Sequence, residues 1–154
     1  MNRYMKQASE EAEKGMKADD GGPFGAAIVR KGKIVALGHN EVLKTNDPTN
    51  HAEMVAIRKA SKVLKRFDIS DCELYTTCEP CPMCLGAIYW SGIQKIYYAA
   101  TRQDAASIDF RDKEIYDFLA GKKVKSPLTL KQMDREDGLA LFKEWKRKED
   151  KKGY

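Results

Sequence analysis

The chain has 154 residues, of which 42% are hydrophobic and 33% are charged, and its formal net charge is +5. This length suits one globular domain with a real core and is too short for an eight-stranded α/β barrel, which needs ~200 residues. No apolar run approaches the ~20 residues that cross a bilayer, and the first fifteen residues are too charged for a signal peptide, so we expect a cytoplasmic protein.

The N-terminal half predicts a helix, a hairpin and a second helix. Apolar residues recur at helical spacing over residues 2–17. Two apolar runs, Phe24–Val29 and Ile34–Gly38, are joined by Lys31-Gly32, and this pattern favours a β-hairpin. After a turn-rich stretch, a second helical pattern should begin near residues 49–50.

The C-terminal half alternates between strand and helix patterns. Glu73–Thr77 is a strand pattern that leads into three cysteines, and Pro82 suits the first position of a helix that ends at Gly92. The later elements are a buried strand at Ile93–Ala100, a helix at Lys113–Ala120, a short apolar piece at Leu128–Leu130, and a final helix from Asp134. Alternation of this kind predicts an α/β fold with helices on both faces of one sheet.

A metal site is the first function that the cysteines suggest. Thiols in a chain without a secretory signal stay reduced, which favours metal binding or catalysis over disulfides. Zinc prefers tetrahedral nitrogen and sulfur ligands, and a catalytic zinc keeps three protein ligands and one open position. His51, Cys81 and Cys84 supply that number. Both cysteines stand at a predicted helix start, where N–H groups and the helix dipole stabilise thiolates.

Glu53 follows the histidine by two residues. Residues i and i+2 of a helix point about 200° apart, so His51 and Glu53 can face one ion only if it lies beyond the helix end. Two thiolates cancel the charge of Zn²⁺ and leave a bound water less acidic, so a nearby base is needed. Glu53 fits that role by moving a proton from the water to a departing amine. This combination of motifs is characteristic of zinc deaminases.

Five segments together resemble the cytidine deaminase superfamily and, within it, the small zinc-dependent guanine deaminases of bacteria. They are residues 21–25, Asn40, residues 46–49, residues 51–53 and residues 76–84. The resemblance implies a three-layer α/β/α sandwich around a five-stranded mixed sheet, in a single deaminase domain over residues 1–154. It also implies hydrolytic deamination of guanine to xanthine and ammonia with one Zn²⁺ per chain. The implied assembly is a homodimer that exchanges residues 134–154, a C-terminal helix and tail.

The same resemblance assigns individual residues to roles. It places zinc on the three ligands named above and the proton shuttle on Glu53. The implied substrate-binding residues are Asn40, the backbone of Ala52, the aromatic walls Phe24 and Trp90, the carboxylate of Asp112, and the terminal Tyr154. Residues 107–111 depart from the family pattern, so Asp109 is the fallback for Asp112. Flat apolar faces suit a planar purine, whose N–H donors need acceptors because burying one unpaired costs about 1–3 kcal/mol.

Several alternatives remain open at this point. A closed structural zinc could use Cys78 as a fourth ligand, although Cys78 is interpreted as a small buried apolar side chain. An iron–sulfur cluster lacks a convenient fourth thiolate. Other substrates include another purine, a nucleoside, an aminotriazine or tRNA adenosine, and a zinc-stabilised binding module would have no turnover. Nucleic acid is not the expected partner, because residues 22–24 and the tyrosine-ended tail resemble the free-base enzymes. His39 is interpreted as a strand residue without a role.

Overall fold

A computed structural model, which describes residues 2–153, shows a mixed sheet of four strands within that part of the chain. The strands are β1 (Gly25–Arg30), β2 (Lys33–His39), β3 (Cys72–Cys78) and β4 (Lys95–Ala100). Their order across the sheet is β2-β1-β3-β4. The central strand β1 pairs antiparallel with both β2 and β3, whereas β3 and β4 are parallel.

The helices alternate with these strands much as the sequence predicts. They are α1 (Arg3–Lys17), α2 (Val42–Thr45), α3 (Ala52–Leu64), α4 (Pro82–Trp90), α5 (Arg102–Ala106), α6 (Asp112–Leu119) and α7 (Arg135–Arg147). The helix expected near residues 49–50 begins at Ala52, and the final helix begins one residue after Asp134. The short helices α2 and α5 have too few residues to show an apolar period and were not predicted.

Alternate residues of β1 divide the core into two layers. Successive side chains of a strand point to opposite faces of its sheet. Ala26 and Ile28 pack with α3 and with Ile88 of α4 on one face. Ala27 and Val29 pack with α1 on the other face. The sheet therefore lies between two helical layers, as an α/β/α sandwich requires.

The expected fifth strand is wrong for the described residues. The apolar piece Leu128–Leu130 lies in a stretch without helix or strand, and its two leucines are exposed. Two leucines separated by Thr129, between Pro127 and Lys131, are too few to form a buried strand face. As a result β4 stands at the edge of the sheet, and its Tyr97 and Tyr98 are about half exposed rather than buried as predicted.

The segment after α6 differs from the rest of the chain. Helix α7 has no buried residue, and Leu141, Phe142 and Trp145 are all exposed on it. In the described part of the chain, no helix has both the length and the apolar character needed to span a membrane.

Candidate metal centre and active site

Two helix starts meet at the candidate site. His51 is the N-cap residue of α3 and Cys81 is the N-cap residue of α4, both in extended backbone conformations. The Cys81 sulfur accepts a hydrogen bond from the backbone N–H of Cys84 at 3.5 Å, and Pro82 occupies the first helical position. The positive ends of both helices therefore face one point, which favours thiolates there.

The three expected ligands lie at distances that suit a tetrahedral cation. His51 Nδ1 lies 3.6 Å from the sulfur of Cys81 and 3.7 Å from that of Cys84. Bond lengths of about 2.3 Å to sulfur and 2.0–2.1 Å to nitrogen at tetrahedral angles separate such atoms by about 3.6 Å. Within residues 2–153 this is the group of His, Cys and acidic side chains close enough together to hold a metal ion.

The two cysteines share one negative charge in the metal-free chain. A hydrogen bond from Cys84 lowers the pKa of Cys81 to about 4, and Cys81 in turn raises the pKa of Cys84. Cys81 is then the thiolate and Cys84 keeps its proton. A divalent cation reverses the second shift because a coordinating thiol is deprotonated. Metal binding at this site must therefore release a proton and weaken at acid pH.

Glu53 is buried beside the ligands. The hydroxyl of Thr76 donates to Glu53 Oε1 at 2.9 Å, and the Cys84 thiol donates to Oε2 at 3.5 Å. Burial raises the pKa of Glu53. A raised pKa brings a carboxyl group closer to neutral pH, where it can both accept and release a proton. As the sequence analysis requires, His51 and Glu53 lie at the very start of α3, where both can face a cation beyond the helix end.

A small cavity opens next to these groups. Its walls combine the metal-side residues with aromatic, amide and carboxylate side chains. The lining residues are Phe24, Asn40, His51, Glu53, Cys78, Glu79, Cys81, Phe110 and Asp112. The cavity therefore offers both flat apolar surface and polar groups to a small planar ligand.

Three of the sequence-predicted substrate residues line this cavity. Phe24 stands edge-to-face with Phe110, with ring centroids 4.6 Å apart. Asn40 is buried, and its Oδ1 accepts the backbone N–H of Val42 at 3.1 Å, which leaves the amide N–H donors for a ligand. Burial raises the pKa of Asp112, at the start of α6. The fallback Asp109 is exposed, in a backbone turn with φ of 69°, and does not line the cavity.

The remaining predicted residues lie elsewhere. Ala52 is fully buried between His51 and Glu53, but it is not among the residues that line the cavity. Trp90 is also absent from the cavity wall, because it ends α4 with 69% of its surface exposed, and Phe110 stands there instead. Tyr154 lies outside the described residues.

Sequence reasoning missed Thr76, Phe110 and Glu79 as parts of the site. Thr76 could have been found, because it alternates with Tyr75, which packs on the α1 side, and therefore lies with Leu74 on the sheet face that packs against α3. Glu79 is held in the cavity wall by the backbone N–H of Arg102 at 3.0 Å. Phe110 and Glu79 lie in connecting segments outside the helices and strands, where no periodic pattern indicates which way a side chain faces.

Comparison with known proteins gives consistent results. A family model described as the cytidine and deoxycytidylate deaminase zinc-binding region matches residues 1–100. The guanine deaminase of Bacillus subtilis is 46% identical over 98% of this chain and 97% of its own length. The crystal structure of Bacillus subtilis guanine deaminase superposes with a TM-score of 0.89 and 45% identity, over 100% of this chain and 99% of that one. The tRNA-specific adenosine deaminase of Aquifex aeolicus is 41% identical, but over only 63% of this chain and 64% of its own length.

Proposed function

This chain belongs to the cytidine and deoxycytidylate deaminase family with its zinc-binding region, and on that premise we propose that it hydrolyses guanine to xanthine and ammonia. The family carries the reaction type, an attack of water on an amino-bearing ring carbon. The substrate follows from similarity to a guanine deaminase along the whole chain rather than along the metal motifs alone.

The residues that would hold zinc are His51, Cys81 and Cys84, at one ion per chain. The distances between their ligand atoms fit one tetrahedral cation, and the donor set of one imidazole and two thiolates is one that zinc favours. When bound, zinc supplies a Lewis acid that makes an adjacent water a better nucleophile. Cysteines that must remain reduced also support the cytoplasmic location expected from the sequence.

The cavity walls would orient the purine. Phe24 and Phe110 offer apolar surface for the ring faces. The free amide donors of Asn40 suit an acceptor on the base, and the carboxylate of Asp112 suits its N–H donors. Binding residues on different elements hold the base in one orientation, which lowers the entropic cost of reaching the reactive geometry.

Glu53 would move the proton that the reaction requires. It accepts a proton from the attacking water while a new C–O bond forms at the ring carbon, and it passes that proton to the amino nitrogen as the C–N bond breaks. One water is consumed and one ammonia leaves. The hydrogen bond from Thr76 to Oε1 fixes the carboxyl group, so that its other oxygen remains on the side of the metal ligands.

The observation that carries this proposal is the buried carboxyl of Glu53, one hydrogen-bond distance from a three-ligand metal group. A closed structural zinc has no use for such a carboxyl. Cys78, the fourth ligand that a closed site would need, donates a thiol hydrogen bond to the carbonyl oxygen of Thr101 at 3.7 Å, and it is not part of the ligand group.

The decisive experiment measures ammonia release from guanine, guanosine, adenine, cytosine, ammeline and tRNA, together with zinc content. We expect turnover of guanine well above the other compounds and about one zinc per chain. Release of ammonia from adenosine in tRNA would instead favour the activity of the tRNA-specific relatives. In that case the affinity for tRNA should fall steeply with added salt, because contacts with phosphates are salt-dependent. Bound zinc with no turnover of any compound would favour a binding module.

We also infer a homodimer in which residues 134–154 pack on the partner subunit. The apolar face of α7 has no buried residue, and apolar Leu128, Leu130 and Met133 before it are exposed as well. Exposed apolar surface on this scale marks an interaction site. A second copy of the chain suits this surface, because each copy would also bring the open edge of β4 with its half-exposed tyrosines as a complementary apolar surface.

Mixing two impaired variants at a guanine concentration below KM tests this exchange. A Glu53→Gln chain and a chain lacking Gly153 and Tyr154 are co-expressed with different tags and purified as a heterodimer. If the tail serves the partner's pocket, one of the two pockets is complete and a fraction of the activity returns. A confirmed heterodimer without recovered activity would contradict the exchange.

A further inference from the structure

His39, the histidine that is not a candidate metal ligand, lies in a buried cluster of charged side chains next to the pocket. Its side chain is only 5% exposed at the end of β2. His39 Nδ1 lies 2.9 Å from Glu11 Oε1 of α1, and Nε2 lies 2.8 Å from Asp20 Oδ2 in the loop after α1. No sequence motif indicates a role for this residue, because Glu11 and Asp20 lie 28 and 19 residues away along the chain.

The geometry suits a doubly protonated ring. An ionised carboxylate only accepts hydrogen bonds, whereas a neutral imidazole has one donor and one acceptor nitrogen. Each ring nitrogen of His39 faces a carboxyl oxygen, so two ionised partners are both satisfied only by an imidazolium. Hydrogen bonds from Lys44 and from His39 lower the pKa of Asp20, one of these two partners.

The charges around the ring come from every element packed against it. On α1 they are Glu11 and Lys14, in the next loop Asp20, after β2 Glu41 and Lys44, and on α3 Lys59. Three carboxyl side chains thus surround one buried imidazole, and the lysines are exposed at the rim. Without the imidazolium, like charges would face each other across a buried space, which is strongly unfavourable.

The cluster holds α1 and its following loop against the pocket wall. A Cβ on Gly15 would lie 2.3 Å from the His39 ring, so α1 can approach the imidazole only because this position is glycine. The backbone carbonyl of Asp20 accepts the N–H groups of Leu43 and Lys44, each at 3.0 Å. The loop is therefore fixed at Asp20 by both its side chain and its backbone.

Two pocket residues depend on this arrangement. Asn40 follows His39 directly, and a Cβ on Gly21 would lie 2.1 Å from Asn40 Oδ1, so the loop backbone presses against the Asn40 amide. The same loop ends at Phe24, whose carbonyl oxygen accepts the N–H of Asn40 at 3.1 Å. A shift of the loop would move both residues.

We propose that His39 is a positioning residue for the purine: as an imidazolium between Glu11 and Asp20, it holds residues 20–24 and Asn40 in place at the pocket wall. The role in turnover rests on the proposed function, whereas the charged clamp itself does not. Glu53, Thr76 and the metal ligands lie on other elements, so His39 acts on substrate binding and leaves the proton transfer largely untouched.

The test is a set of isosteric variants assayed with guanine. His39→Gln leaves a neutral side chain among three carboxylates, and we expect KM to rise about tenfold while kcat stays within about threefold. The double variant His39→Gln with Glu11→Gln removes one of the facing charges and should recover most of the lost KM. Glu10→Gln is the matched control, because it removes a carboxylate one position earlier on the exposed side of α1.

A merely structural role predicts a different result. It would lower the melting temperature of His39→Gln with no change in KM, or it would lower kcat and leave KM unchanged, and either outcome overturns the proposal. Proton-detected ¹⁵N spectra of the imidazole, recorded without substrate, give an independent readout, and a neutral ring at neutral pH would also overturn it. A wild-type protein that turns over no guanine overturns the proposed function instead, while those spectra still decide whether the clamp exists.

Discussion

The metal side of the pocket and the C-terminal segment are built in opposite ways. On the metal side, Thr76 and Cys84 each donate a hydrogen bond to Glu53, and all three side chains are buried on different elements. In the segment from residue 121 to residue 153, no described residue is buried. The candidate catalytic groups are thus fixed by buried contacts within one chain, whereas the described part of the C-terminal segment makes no buried contact of its own.

The largest effect should come from the centre of the metal side. We expect Glu53→Gln to lower guanine turnover about 10³-fold or more, because the amide cannot accept the proton from water. Zinc content should stay near that of the wild type, since Glu53 is not one of the three ligands. Ammonia release and metal analysis of the same sample give the answer. The control is Glu73→Gln, a partly exposed carboxyl paired with Lys95, which should change little.

A smaller effect is expected when a ligand is weakened. Replacing Cys84 by serine exchanges a thiolate for a poor zinc ligand, and the zinc affinity should fall by about 100-fold or more. Competition with a chelator measures this. Cys72→Ser is the matched control, because Cys72 is a buried cysteine on β3 outside the ligand group. Equal zinc affinity in the two variants would contradict the assigned ligand set.

A change in the C-terminal segment should affect substrate binding, unlike the changes at Glu53 and Cys84. Deleting Gly153 and Tyr154 is expected to raise KM for guanine about tenfold, while the melting temperature of the core stays within about 1 °C because terminal residues seldom contribute to a core. Steady-state kinetics and thermal unfolding separate these effects. The variant Lys151→Ser with Lys152→Ser keeps the two final residues and should retain its KM. A large fall in the melting temperature of the deletion variant would contradict the view that the core is stable without the C-terminal tail.

The smallest effect concerns stability on the metal side. Burial raises the pKa of Glu53, so the folded metal-free chain holds this proton more tightly than the unfolded chain. Its free energy of unfolding should therefore fall as the pH rises from the ordinary range of glutamate through the raised pKa of the folded state. Glu53→Gln removes this loss and should stabilise the metal-free protein by about 1 kcal/mol at neutral pH. Denaturant unfolding in the presence of a chelator at acid and neutral pH tests the sign, and a destabilised variant at neutral pH would refute it.

Much of the metal side could be predicted, because the spacing of residues within short segments determines it. The ligands stand at the starts of two helices, and the spacing of Cys81 and Cys84 with Pro82 between them identifies the second helix start without reference to the rest of the chain. The position of Glu53 two residues after His51 constrains the cation to the helix end by geometry alone. The hairpin and the long amphipathic helices likewise follow from short-range periodicity.

The rest depended on contacts between distant residues. Trp90 and Phe110 are equally good aromatic walls in sequence, and only the packing of α4 and α6 places one outside the cavity and the other in it. The sheet has four strands in the described chain because Leu128–Leu130 finds no buried surface, which a three-residue pattern does not reveal.

By itself, the sequence determined the three candidate ligands, the adjacent carboxyl group and the order of the main elements, because each depends on spacing within one segment. Only the tertiary structure decided that Thr76 holds Glu53 and that His39 lies between two carboxylates, 28 and 19 residues away along the chain. These pairs form where residues from distant strands and helices come together. A charged or carboxyl group needs a hydrogen-bond partner there only because the fold excludes water from around it.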